Sequence, residues 1–182
     1  MSTKVCDNTS VAALIFDEDG RLLVFDRNTD PPGAAGPAGH IDTHGTAADA
    51  VCAEVHEEVG LNVVRLELFL DAWWPNRCRR QPGPRGIGHH FYFYKVQVTG
   101  HLRPSSRETR NVRWLDRGQL RELTRRTIKY ARGFISHVEF RAAPGIEPVW
   151  VYGLAAAGLV EASHDDLALL DQVAADFVPG GS

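Results

Sequence analysis

The chain has 182 residues, 43% apolar and 24% charged, which is ordinary usage for a globular protein able to bury a good core without dividing. A formal net charge of −3 and a pI near 6.2 argue against general nucleic-acid binding or an anionic-membrane surface, and no apolar run approaches a membrane span. The N-terminus lacks a basic segment followed by an apolar one, so a cytoplasmic location is expected.

In chain order, Val11 to Phe16 and Arg21 to Phe25 are apolar β-type runs separated by the turn-rich Asp17 to Gly20, a pattern that predicts a β-hairpin. Residues 28–37 hold three prolines and two glycines and read as a loop delivering the chain to Gly39. Thr46, followed three residues later by Asp49, makes a capping-box start, and Gly60 is a natural stop, so Thr46 to Val59 is predicted helical. On that helix Glu54, Glu57 and Glu58 share one edge, while Ala48, Cys52, Val55 and Val59 form an apolar stripe. No Lys or Arg lies between Thr46 and Val64 to neutralise the acidic edge. A solvated acidic face and a site for a hard divalent cation, which takes oxygen ligands, are both open on the helix alone.

With its flanking glycines, the stretch Gly39 to Leu61 resembles the Nudix box: Gly39, Glu54, Val55, Glu57, Glu58, Gly60 and Leu61 fall on it in register. Two positions depart, with Gly45 where the first glutamate belongs and Ala53 where the arginine belongs. The missing pair is one acid and one base, so no charge is stranded and the loss is that of a supporting ion pair. The resemblance implies an α+β fold, a Nudix-type α/β/α sandwich with a mixed β-sheet, and a metal-dependent hydrolase of a diphosphate linkage in a nucleoside diphosphate derivative or related organic pyrophosphate. It implies Mg²⁺ or Mn²⁺ as cofactor, Glu54, Glu57 and Glu58 with the Gly39 carbonyl as metal ligands, and a small-molecule diphosphate as partner. The departures at Gly45 and Ala53 predict less well oriented ligands and a weaker or more Mn²⁺-dependent enzyme.

Beyond the helix, Asn62 to Ala72 reads as a strand leading into Trp73 and Trp74. Residues 75–88 then form a flexible cationic loop with Arg77, Arg79, Arg80 and Arg85. The forks of Arg77, Arg79 and Arg80 suit bidentate phosphate contact and the tryptophans suit stacking on a flat group, although a solvated loop beside core tryptophans fits equally. His89 to Val98 is a strand by aromatic and β-branched content, ended by Gly100, and Val112 to Leu115 is another. Glu108, shortly before that run, is similar to a loop glutamate of many Nudix hydrolases, so Glu57, Glu58 and Glu108 are the candidates to accept the proton of the attacking water.

Gln119 to Arg132 is an amphipathic helix with a basic outer face, and the family core is expected over about 8–132 of one domain spanning the chain. An extension over about 133–178 contains predicted helices at Pro148 to Ala157 and at about His164 to Phe177, the second capped by Ser163 and Asp166. Completing the fold, roofing the pocket and forming a homodimer contact all remain open for it. Pro179 to Ser182 is expected to be disordered. The three cysteines, Cys6, Cys52 and Cys78, are odd in number and far apart, which fits neither a disulfide framework nor a zinc site, so free thiols are expected. The eight histidines show no metal-binding spacing, and His40 and His44 read as polar loop surface. Two rivals to hydrolysis are a Nudix-like nucleotide-binding or regulatory protein without turnover, favoured by Gly45 and Ala53, and a diphosphate isomerase. The isomerase is weakened by Ala38 standing where such enzymes carry a cysteine.

Overall fold

The computed structural model describes residues 4–176; Phe177 and Pro179 to Ser182 lie outside the described residues. A four-stranded sheet has the order β4-β1-β6-β5, formed by Ala38–Gly39 (β4), Thr9–Ile15 (β1), His89–Thr99 (β6) and Asn62–Trp74 (β5). It is mixed: β1 runs parallel to β6 and antiparallel to β4, and β5 runs antiparallel to β6. A three-stranded antiparallel sheet has the order β3-β2-β7, from Ala34–Ala35 (β3), Leu22–Arg27 (β2) and Thr109–Leu115 (β7). The helices are Ala47–Val59 (α1), Arg117–Ala131 (α2), His137–Ala142 (α3), Pro148–Ala156 (α4) and His164–Asp176 (α5).

The two-residue periodicity of β1 and β2 sorts the core into two layers. Val11, Ala13 and Ile15 of β1 join Leu23 and Phe25 of β2 in packing with Val51, Val55 and Val59 of α1. Ala12, Leu14, Leu22 and Val24 point the other way, toward Leu120 of α2, Val149, Trp150 and Leu154 of α4, and Leu170 of α5. The expected α/β/α arrangement follows, with the C-terminal helices α4 and α5 inside the second layer. Each buried Val, Leu, Ile or Phe among these stabilises the fold by about 1.5–3 kcal/mol relative to exposure. Helix α4 approaches the sheet closely at Gly153, where a Cβ would collide with the Phe93 ring.

The hairpin expectation is corrected. The turn forms, with Asp17 N–H bonding to the Arg21 carbonyl and Asp17 Oδ1 accepting from Arg21 N–H at 2.8 Å. Only one bridge, Phe16 to Leu22, links the two runs, after which β1 and β2 enter different sheets. Both strands are buried on both faces, so each finds other partners instead of a solvent-facing mate. The helix α3 was not anticipated, although its signal was present: Ser136 and Glu139 form a reciprocal capping box.

Candidate active site

The Gly39–Leu61 stretch folds as its caps dictate. Thr46 and Asp49 exchange side-chain and backbone hydrogen bonds at the start of α1, and Gly60 ends it with φ of 72°. Gly45 has φ of 99°, so a glutamate there would be strained, and the junction rests on the Thr46–Asp49 box instead. Strand β4 lies alongside α1, and the pairing of Val11 with Gly39 fixes it against β1.

Glu54 and Glu58, one turn apart, converge on β4. Glu58 is 8% exposed and its Oε2 accepts the Ala38 N–H at 2.9 Å. A Cβ at Gly39 would collide with the Glu54 carboxylate, so glycine is what lets that acid lie against the backbone. The Gly39 carbonyl accepts the Ser10 hydroxyl at 2.9 Å. Among the described residues neither Glu54 nor Glu58 has an ion-pair partner. Burial pushes the Glu54 carboxyl up to about 7, with the charges of Glu57 and Glu108 adding to it. Burial pushes Glu58 up to about 8, reinforced by Glu54 and opposed by the Ala38 amide. A buried and a half-buried carboxyl, mutually repelling and beside a backbone carbonyl, form a hard-oxygen donor set that fits a divalent cation.

Both acids open into a cavity of about 310 Å³. Glu108 lines it too, with its Oε1 held by Arg107 Nε at 2.9 Å. Glu57 is exposed and does not line it, although its charge acts on Glu54. Arg77, Arg79 and Arg80 border the cavity from the 75–88 connection. Arg80 is engaged bidentately by Asp42 at 2.6 and 2.7 Å, and this hydrogen bonding holds the Asp42 carboxyl well below the usual range. Arg77 gives its backbone N–H to the Ala174 carbonyl and its Nε to the Ala175 carbonyl, while Arg79 is exposed. The connection is anchored elsewhere as well, by Asn8 Nδ2 on the Gly86 and Gly88 carbonyls and by the Cys6 N–H on the Gln81 carbonyl.

The tryptophan expectation is corrected, since neither Trp73 nor Trp74 lines the cavity. Trp74 packs among Phe91, Phe93 and Tyr152, and Trp73 lies beneath the Arg85 guanidinium at 4.0 Å. The aromatic walls are Phe25, Phe91 and Trp150 of α4, whose ring is seated against Gly36. Sequence reasoning also missed Arg27 and Glu147, which face each other at 3.4 Å on the cavity wall. The three cysteines are free, as expected, and Cys6 and Cys78 are brought together with His40 and His89, of which His40, Cys78 and His89 line the cavity. Burial lowers both imidazoles to about 4, so they are neutral near pH 7.

A profile of the NUDIX domain matches residues 7–137. A search of curated proteins by sequence finds no match. Among solved structures, the E. coli dihydroneopterin triphosphate pyrophosphohydrolase is 19% identical with a TM-score of 0.54, covering 94% of this chain and 98% of its own. A NUDIX hydrolase from Nitrosomonas europaea is 20% identical with a TM-score of 0.50, covering 66% of this chain and 77% of its own. The MutT protein from Methanosarcina mazei Go1 is 18% identical with a TM-score of 0.50, covering 66% of this chain and 83% of its own. At such identities the structural likeness establishes the mixed-sheet α+β fold, whereas the profile spans most of the chain. The protein belongs to the Nudix family.

Proposed function

We propose that this protein is a Mg²⁺- or Mn²⁺-dependent hydrolase of a diphosphate linkage in a nucleoside diphosphate derivative or related organic pyrophosphate. The observation that carries the reading is the convergence of half-buried Glu54 and buried Glu58, without ion-pair partners among the described residues, on the Gly39 backbone at the floor of the cavity. Glu54, Glu58 and the Gly39 carbonyl would hold the metal, with Glu57 assisting from the exposed edge of α1. When bound, the ion neutralises phosphate charge and acidifies a water.

The remaining chemistry belongs to side chains. Glu58 or Glu108 accepts the proton of the attacking water, since both face the cavity. Arg77, Arg79 and Arg27 offer guanidinium donors to phosphate oxygens, and Phe25, Phe91 and Trp150 wall off an apolar compartment for the rest of the substrate. Among the described residues no helix is long and apolar enough to cross a membrane.

The test is metal-dependent phosphate release from nucleoside triphosphates, nucleotide sugars, dinucleoside polyphosphates and dihydroneopterin triphosphate, the compound named in the E. coli neighbour. Turnover of at least one compound is expected in the natural protein, with its loss in Glu54→Gln and Glu58→Gln and a smaller loss in Glu57→Gln. Unchanged turnover in the Glu54 and Glu58 variants would remove both from the mechanism. Calorimetric binding of a nucleotide with no turnover under either metal would favour the non-hydrolytic reading.

A further inference from the structure

Four side chains from four separate segments meet beside the acidic floor. Cys6 precedes β1, His40 follows directly on β4, Cys78 lies in the 75–88 connection, and His89 opens β6. Each offers one ligating atom, and the four atoms all lie within 4.8 Å of one another. Cys6 Sγ stands 3.1 Å from His89 Nε2 and 3.5 Å from His40 Nε2. In a tetrahedral zinc centre, with Zn–S near 2.3 Å and Zn–N near 2.0–2.1 Å, ligand atoms are separated by about 3.3–3.8 Å. Those two contacts already approach that spacing, and the other pairs are within about an ångström of it.

We propose that Cys6, His40, Cys78 and His89 form a closed Cys₂His₂ site for a structural Zn²⁺ ion. The chemistry of the set selects the metal: two sulfurs and two imidazoles suit zinc, whereas Mg²⁺ takes oxygen donors such as those on α1. Four protein ligands complete the tetrahedron and leave no position for a reacting water. Binding displaces the two thiol protons to solvent, and the two resulting thiolates balance the charge of the ion while the imidazoles bind neutral. Cys6 and His89 are each 3% exposed, so water is largely excluded from that half of the site. The Asn8 N–H points at Cys6 Sγ at 3.3 Å, the kind of outer support that steadies a thiolate ligand.

The position of the site gives it a role. It ties together the N-terminal segment, the residue after Gly39, the arginine-bearing connection and the start of β6, and three of its four ligands, His40, Cys78 and His89, line the cavity. The zinc would therefore hold Gly39 and the bordering arginines in a fixed relation. This inference does not depend on the hydrolase reading, because every ligand lies outside the acidic set.

The experiment is metal analysis of the full chain purified without chelator, followed by replacement with Co²⁺, whose thiolate charge-transfer absorption and intense tetrahedral d–d bands report the ligands directly. One zinc per chain is expected, with the cobalt spectrum of a two-sulfur site. Cys78 is half-buried in a connection, so Cys78→Ser keeps the fold, checked by circular dichroism, and should lose both the bound zinc and the two-sulfur spectrum. Cys52→Ser and Glu54→Gln should retain both, and retention in Glu54→Gln separates this site from the acidic one. Absence of bound zinc together with absence of thiolate bands would overturn the proposal. So would an intact mass lower by two hydrogens under non-reducing conditions, which would mark a Cys6–Cys78 disulfide instead.

Discussion

Two buried glutamates line the same cavity, and their surroundings differ in one respect. Glu147, 1% exposed, caps α4 by accepting the Trp150 N–H at 3.1 Å and has the Arg27 guanidinium 3.4 Å away. Glu58, 8% exposed, accepts the Ala38 N–H and otherwise faces the like charges of Glu54 and Glu108. Burial raises both carboxyls, but Glu147 has a cation of its own to offset it, while Arg27 acts on Glu58 only as a minor influence. Burial alone therefore does not mark a functional acid; burial among other acids does.

Substitution should separate the two. Glu58→Gln is expected to lower kcat by about 10²–10⁴-fold, the range for loss of a positioned proton-transfer group, with little loss of stability in the absence of metal. Glu147→Ala should do the reverse in stability, costing about 3 kcal/mol in urea unfolding because Arg27 loses its buried partner and α4 its cap. If Glu58→Gln unfolded the protein and Glu147→Ala did not, the contrast would be broken.

Gly39→Ala sharpens the contrast from the other side. The added methyl group must displace the Glu54 carboxylate, and Mg²⁺ affinity measured by calorimetry should fall by about 10–100-fold. The smallest effect is on pH dependence. Both α1 acids have folded-state values above the ordinary 4.5, so in metal-free protein they favour the fold when protonated. That contribution is complete below 4.5 and is lost as pH rises through about 7 for Glu54 and about 8 for Glu58. The Tm of chelator-treated protein should fall across that window, and Mg²⁺ should restore part of it by replacing the protons. A Tm that rose between pH 5 and pH 8 without metal would contradict the pairing of burial and repulsion at α1.

What was legible in the sequence was local. Thr46, Asp49 and Gly60 announced α1 to within a residue, because caps are satisfied by neighbours a few positions away. The spacing of Glu54 and Glu58 announced their shared edge for the same reason. The partition of β1 and β2 into different sheets was not legible, since strand pairing depends on β6 and β7, far along the chain. Trp73 and Trp74 looked suited to stacking, yet Trp74 is spent on Phe91, Phe93 and Tyr152, and Trp150 from the C-terminal extension lines the cavity instead. The Cys6, His40, Cys78 and His89 cluster escaped because its members are spread along the chain and only the β1–β6 pairing, the Val11–Gly39 contact and the anchored 75–88 connection bring them together.

The hold of Arg77 on the carbonyls of Ala174 and Ala175 carries a further consequence. Those acceptors belong to α5, so an arginine bordering the cavity is tied to the C-terminal helix. Loosening of that part of α5 and loosening of the 75–88 connection are thus coupled. Amide exchange at Arg77 and along that part of α5 should therefore rise and fall together.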